Sequence, residues 1–213
     1  DDRIFVYVRL DDDENSHLDD LVRNIKGAGH PLLQLNLRDK YDLGGEFFRW
    51  EMATAIIGAV LGIHPFDQQS VQQAKDETNR VLKEYQDFGY LPNVDVDDSF
   101  HGLLSEAHAG DYLAIMAYMQ QTPLVDQAWL EFRRDVFGKY HIATTLGYGP
   151  RFLHSTGQLH KGGSNIGLFL QIVVNRDFDL AIPGSTYSFG VLADAQALGD
   201  LRVLKSLGRR VAR

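Results

Sequence analysis

The stretch EFFRWEMATAIIGAVLGIHPFDQQSVQQAK, from Glu46 to Lys75, decides how this chain is read. Phe47, Trp50, Ile57 and Leu61 recur at three- and four-residue steps, and Phe48, Met52, Ala55, Ile56, Ala59 and Val60 fill the other sides. A helix apolar all round needs cover all round, so the pattern predicts a core helix. At about fifteen residues it falls short of the roughly twenty that cross a bilayer, and Arg49, Glu51 and Thr54 interrupt it, which disfavours a membrane span. Gly44 and Gly45 ahead of it predict a close turn and exposed N–H groups at a helix start, where an anion can rest.

Pro65 cannot continue the helix, so the chain turns through His64-Pro65-Phe66-Asp67-Gln68 into a second, polar helix from about Ser70 to Gln86. With Gln68 at the start of that helix, the seven positions to Lys75 make about two turns. The amide and the ammonium then face one side, roughly 10 Å apart, a span that suits a small polar substrate. The plainer alternative is that Asp67 caps the second helix and Lys75 is a solvated surface lysine.

With 213 residues, 44% of them hydrophobic, the chain can build one large domain or two small ones around a real core. Its formal charge is −8, from 21 Lys and Arg against 29 Asp and Glu, which argues against nucleic-acid or anionic-membrane partners. A local phosphate site stays compatible with that balance. The absence of cysteine excludes a disulfide framework and thiolate chemistry and fits a cytoplasmic protein. There is no signal peptide, and the chain opens on Asp1-Asp2 instead of Met, so a C-terminal piece of a longer protein is expected.

Taken in order, Ile4 to Leu10 reads as a strand, His17 to Ala28 as a helix and Pro31 to Leu37 as a second strand. Strand, helix, strand and long helix predict parallel strands with helical crossovers, an α/β layer fold. Between Gln86 and Ala109 the pattern weakens around Pro92, Asp95, Asp97, Asp98 and Gly102, which places a boundary near residue 95. His101, Glu106 and His108 lack the spacing of common zinc motifs, so no metal is expected. Beyond Asp111 the layered pattern returns: a strand from Tyr112 to Met119, a helix from Val125 to Phe137, strands at His141–Leu146 and Gly167–Val174, and a closing helix from Ser188 to Leu207. Lys205, Arg209 and Arg210 form a basic end that suits the negative pole of that helix.

The second dense stretch, GYGPRFLHSTGQLHKGGS from Gly147 to Ser164, reads as a polar loop. Glycine-freed amides, the hydroxyls of Ser155 and Thr156, and the cations Arg151 and Lys161, with His154, Gln158 and His160, are candidates for holding a phosphate or sugar hydroxyls. The alternative is a long hydrogen-bonded turn that packs against its neighbours. The spacing is not that of a phosphate-binding P-loop, which disfavours nucleotide hydrolysis.

The run from Glu46 to Lys75 resembles the C-terminal signature of glucose-6-phosphate isomerase, in which an apolar helix ends in a Phe-Asp-Gln turn and a lysine follows the glutamine by seven residues. Gln68 and Lys75 fall on those positions. His64, Ser70 and Gln72 depart from the family's usual Asn, Gly and Glu. The stretch from Gly147, followed by an apolar strand, is similar to the C-terminal region of bifunctional enzymes that fuse transaldolase to glucose-6-phosphate isomerase, with Ser164 where proline is typical. The resemblance implies a sugar isomerase (SIS) fold over residues 1–95 with an appended α/β region over 96–213. It also implies interconversion of glucose 6-phosphate and fructose 6-phosphate through an enediol, with no cofactor. A carboxylate moves the proton between C1 and C2, and a histidine and a lysine assist ring opening.

Gln68 and Lys75 would polarise and position the sugar, and His160 would stand in for the family's ring-opening histidine. The family's catalytic glutamate lies in a Glu-Ser-x-Gly-Lys segment that does not occur here, so it is expected upstream and this chain alone is expected to be nearly inactive. Implied partners are a hexose phosphate, the upstream part of the same polypeptide and a second subunit. A sugar-phosphate-binding module without catalysis and a purely structural appendage are the competing readings.

Overall fold

Two strands rich in branched side chains begin the computed structural model, which describes residues 4–67, 69–93, 99–154, 156–176 and 178–213. Strands β1 (Phe5–Leu10) and β2 (Leu32–Leu37) pair in parallel, with Phe5 beside Leu32 and Leu10 beside Leu37. Helix α1 (Ser16–Gly27) joins them. The buried Tyr7 ties the strand to this helix, its hydroxyl donating to Asp19 at 2.7 Å. On the opposite face Val6, Val8 and Leu33 are exposed.

Helix α2 (Asp42–Leu61) follows. Gly62 caps its end in the left-handed conformation, φ 67°, which glycine adopts without a Cβ penalty. Pro65 folds back onto Gly58, where a Cβ would meet the proline ring at 2.6 Å, so only glycine admits this return. Two expectations are corrected here. Gly44 and Gly45 lie inside α2 and do not precede it, so they form no open anion seat. Nor is α2 a core helix: Phe48 and Val60 are 66% and 79% exposed, and Phe47, Trp50, Ile56, Ile57 and Leu61 are exposed with them. A helix apolar on every side can be covered only by several layers, and the described residues up to Asp67 supply one two-stranded ribbon and one further helix.

The chain divides into two units between Asp67 and Gln68, not near residue 95. Helix α3 (Gln69–Phe88) decides this, because it belongs to the second unit. Its Val81 and Leu82 pack against Ala195 and Leu198 of α7 (Phe189–Ser206), and Glu84 accepts both Arg202 nitrogens at 2.8 and 3.1 Å. Asp95, Asp97 and Asp98, part of the expected linker, lie outside the described residues.

Behind α7 stands a parallel sheet in the order β4-β3-β5-β6, built from β3 (Tyr112–Tyr118), β4 (Ala143–Tyr148), β5 (Gly167–Val173) and β6 (Arg210–Ala212). Parallel strands are covered on both faces. Leu113, Ile115, Leu168 and Leu170 meet α4 (Phe100–Ser105) and Val136 of α5 (Pro123–Tyr140). Ala114, Met116, Tyr118 and Phe169 meet Phe152 and the α7 residues Ala197 and Leu204. The chain is therefore α/β, with parallel strands and helical crossovers. Among the described residues no helix is long and apolar enough to cross a membrane.

Two local expectations also change. The stretch after β4 is largely helical, with a 3-10 turn over Arg151–His154 and α6 over Thr156–Gly162. Arg209 and Arg210 do not close α7. Arg210 begins β6 and donates to Asp111 at 2.8 Å, while Arg209 caps α6 through the Lys161 and Gly163 carbonyls at 2.6 and 2.7 Å.

This packing can be tested at two points. A Cβ at Gly199 of α7 would lie 2.8 Å from the Thr78 backbone nitrogen, so Gly199→Ala is expected to destabilise the second unit by about 1–3 kcal/mol, read from urea unfolding. An unchanged midpoint would show that α3 can shift freely. The uncovered α2 face is expected to drive concentration-dependent association in sedimentation velocity, reduced by lysine at Phe48 and Val60. Concentration-independent sedimentation of the unaltered chain would contradict that.

Candidate active site cleft

Lys75 stands on α3 above a cleft of 560 Å³ whose other side carries Arg151. Helical spacing puts Lys75, Thr78, Asn79 and Leu82 on one face of α3. Leu192 and Gln196, four apart on α7, form the facing wall with Tyr187. Pro150 and Arg151 follow the carboxyl end of β4, the end of a parallel sheet at which open α/β folds gather ligands. The described lining thus offers two cations, two amides and two hydroxyls. It includes no carboxylate and no imidazole.

Arg151 is exposed, and its Nη2 donates to Gln121 Oε1 at 3.1 Å. Gln121 Nε2 donates in turn to Asp126, at 3.0 and 3.3 Å to its two oxygens. Tyr148 donates to the same carboxylate at 2.6 Å. The bonds from Tyr148 and then Gln121 hold the Asp126 carboxyl below its usual range. Burial, reinforced by the bond to Asp126, pushes the Tyr148 phenol up to about 12.

The other candidates fare differently. Gln68 and Ser155 lie outside the described residues, and of His154 only its place in the 3-10 turn is described. Thr156 and Gln158 are half-buried in α6 and do not line the cleft. His160 is 3% exposed, enclosed by the rings of Tyr112, Phe152 and Phe169, and its Nδ1 is 3.1 Å from the Tyr112 hydroxyl. Burial, with the Lys161 charge second, lowers its pKa to about 4. Lys161 is sealed as well, its Nζ 2.5 Å from Asp200, both side chains 2% exposed. Burial raises the Asp200 carboxyl against the pull of that ammonium. His160 and Lys161 are thus core groups that join α6 to the sheet and to α7, which corrects their assignment to a substrate. Residue type alone does not separate the two roles, because a buried polar residue and a binding residue look alike in sequence.

Thr78, Asn79, Tyr187 and Gln196 were missed. For Thr78 and Asn79 the signal was present, three and four positions past Lys75 on the same helix. Gln196 and Tyr187 reach the cleft only through tertiary packing. A second cleft, of 670 Å³, lies at the end of β5, but its charges are already engaged: Arg176 pairs with Asp194 at 2.6 Å, and Asp179 caps the start of α7. No group of three or more metal-ligating side chains gathers among the described residues.

No family model and no curated protein matches the chain. Among solved structures it is similar to a hypothetical protein, TT0462, from Thermus thermophilus, at 13% identity and a TM-score of 0.44. That likeness covers 97% of this chain and 50% of the other, so the chain spans half the length of that structure.

The burial of His160 makes stability depend on pH. Its folded pKa of about 4 lies below the ordinary imidazole value of 6.5, so between these values the unfolded chain binds a proton that the folded chain does not. The contribution is full above about 6.5 and is lost as pH falls towards 4, amounting to about 3 kcal/mol. His160→Phe is expected to flatten the stability profile across that window in urea titrations. An unaltered slope would show that the imidazole is protonated inside the fold.

Proposed function

We propose that this chain is the sugar-phosphate-holding C-terminal module of a glucose-6-phosphate isomerase, within a transaldolase fusion and working in the cytoplasm. The observation that carries the reading is that Lys75, on the lysine position of the signature, lines the same cleft as Arg151 from the second resembling stretch. A cleft of 560 Å³ has the size of small-molecule sites and takes a hexose phosphate.

In this reading Arg151 holds the phosphate, where a guanidinium offers a fork of donors that an ammonium cannot. Lys75 faces the sugar end and stabilises the oxyanion that develops as the enediol forms. Asn79, Gln196, Thr78 and Tyr187 order the sugar hydroxyls. The isomerisation moves a proton from C2 to C1 and needs a base, and no described lining residue is one. In this reading the base is the family's glutamate, expected upstream of this chain, and the chain by itself binds without turnover. The same observation favours, as a second reading, a binding module that performs no chemistry at all.

Calorimetric titration of this chain with glucose 6-phosphate and with glucose tests the proposal. Binding of the phosphate ester is expected, glucose is expected to bind far more weakly, and Lys75→Ala and Arg151→Ala are each expected to cost about ten-fold or more. Equal affinity for the two sugars, or indifference to both substitutions, would rule the reading out. Turnover of fructose 6-phosphate by this chain alone would overturn the division of labour.

A further inference from the structure

An arginine on a rim is a weak anion site when its side chain must be ordered at the moment of binding, because that ordering subtracts from affinity. Arg151 is exposed, yet it is not loose: the chain Arg151–Gln121–Asp126–Tyr148 runs from the cleft rim back to the first turn of α5 and the last residue of β4. We infer that Gln121 is a positioning residue that presents the Arg151 guanidinium to the phosphate of the bound sugar, its amide orientation fixed by the Asp126 carboxylate. The inference rests on the reading of the cleft given above.

The chemistry of the three groups makes the tether directional. A carboxylate only accepts hydrogen bonds and a guanidinium only donates, whereas an amide does one at each end. An ionised Asp126 draws the Gln121 Nε2 to itself, with both carboxylate oxygens within 3.3 Å, and so turns Oε1 outward. Oε1 is the only end of the amide that can receive Arg151, and it does so at 3.1 Å. The reversed amide would set N–H against N–H at one end and oxygen against oxygen at the other.

Asp126 is itself well supported as an anion. It lies in the first turn of α5, where the helix end favours negative charge, and it accepts the Tyr148 phenol. Only Arg151 Nη2 is committed to the tether, which leaves the remaining donors of this cleft-lining residue for a ligand. Gln121 does not line the cleft and acts only through Arg151.

A double-mutant cycle on this chain with glucose 6-phosphate tests the inference. Gln121→Met, which keeps the length of the side chain and removes both bonds, is expected to weaken binding about three- to ten-fold. In an Arg151→Met background the same change is expected to do nothing further, since its route is gone. Additive losses, or no loss from Gln121→Met, would overturn the inference.

A second measurement needs no ligand. Nitrogen-15 relaxation of the Arg151 Nε–Hε group is expected to show greater mobility in Gln121→Met and Asp126→Asn than in the unaltered chain, and equal mobility in all three would overturn the tether. If glucose 6-phosphate fails to bind the unaltered chain, the functional reading of the cleft falls while the relaxation result still decides the tether.

Discussion

The close crossing of α3 over α7 is the contact from which the candidate site takes its shape. Gly199 allows it, since any side chain there would strike the Thr78 backbone, and the Glu84–Arg202 pair fixes the rotation of one helix on the other. Thr78 is also a cleft residue, and Lys75 is less than one turn away. The packing glycine and the placing of the lysine are therefore the same event. A helix that would otherwise be a polar surface strip becomes one wall of a cavity.

Beneath that wall the polar groups divide by accessibility. His160, Lys161 and Asp200 are desolvated, Lys161 ion-paired with Asp200 and His160 beside the Tyr112 hydroxyl, where removal of one partner would strand a buried charge or donor. Lys75 and Arg151 stay in contact with water. A phosphate can reach only the second pair, although His160 and Lys161 are comparable candidates in the linear chain. The distinction comes from tertiary packing, which seals His160 and Lys161 of α6 inside the unit and leaves Lys75 of α3 and Arg151 exposed, and the linear run of residues does not disclose it.

Much of the architecture was legible from periodicity. The strand read from Tyr112 to Met119, the helices read from about Ser70 to Gln86 and from Val125 to Phe137, and the parallel sense of the strands match β3, α3, α5 and the sheets to within a few residues. What local pattern could not supply was the identity of the covering layer. Helix α2 has the composition of a core helix, yet the elements needed to bury it are not among those packed with it. Helix α3 looked like an extension of the first unit because it follows α2 so closely in sequence, and its true partner lies far along the chain. Strand β6, three residues long, is held by Arg210 reaching Asp111 and the Glu106 carbonyl, contacts with no local signature.

The cleft has a consequence for how the protein reaches its working form. One wall comes from α3 and the other from α7, joined by a pair of residues 118 positions apart. Helices form from neighbours within a turn, but a contact of that separation waits for the loop between its partners to close. A cavity assembled from two such distant segments exists only when both are docked on each other. The cleft is therefore lost when α3 lifts away from α7, whatever else of the fold persists.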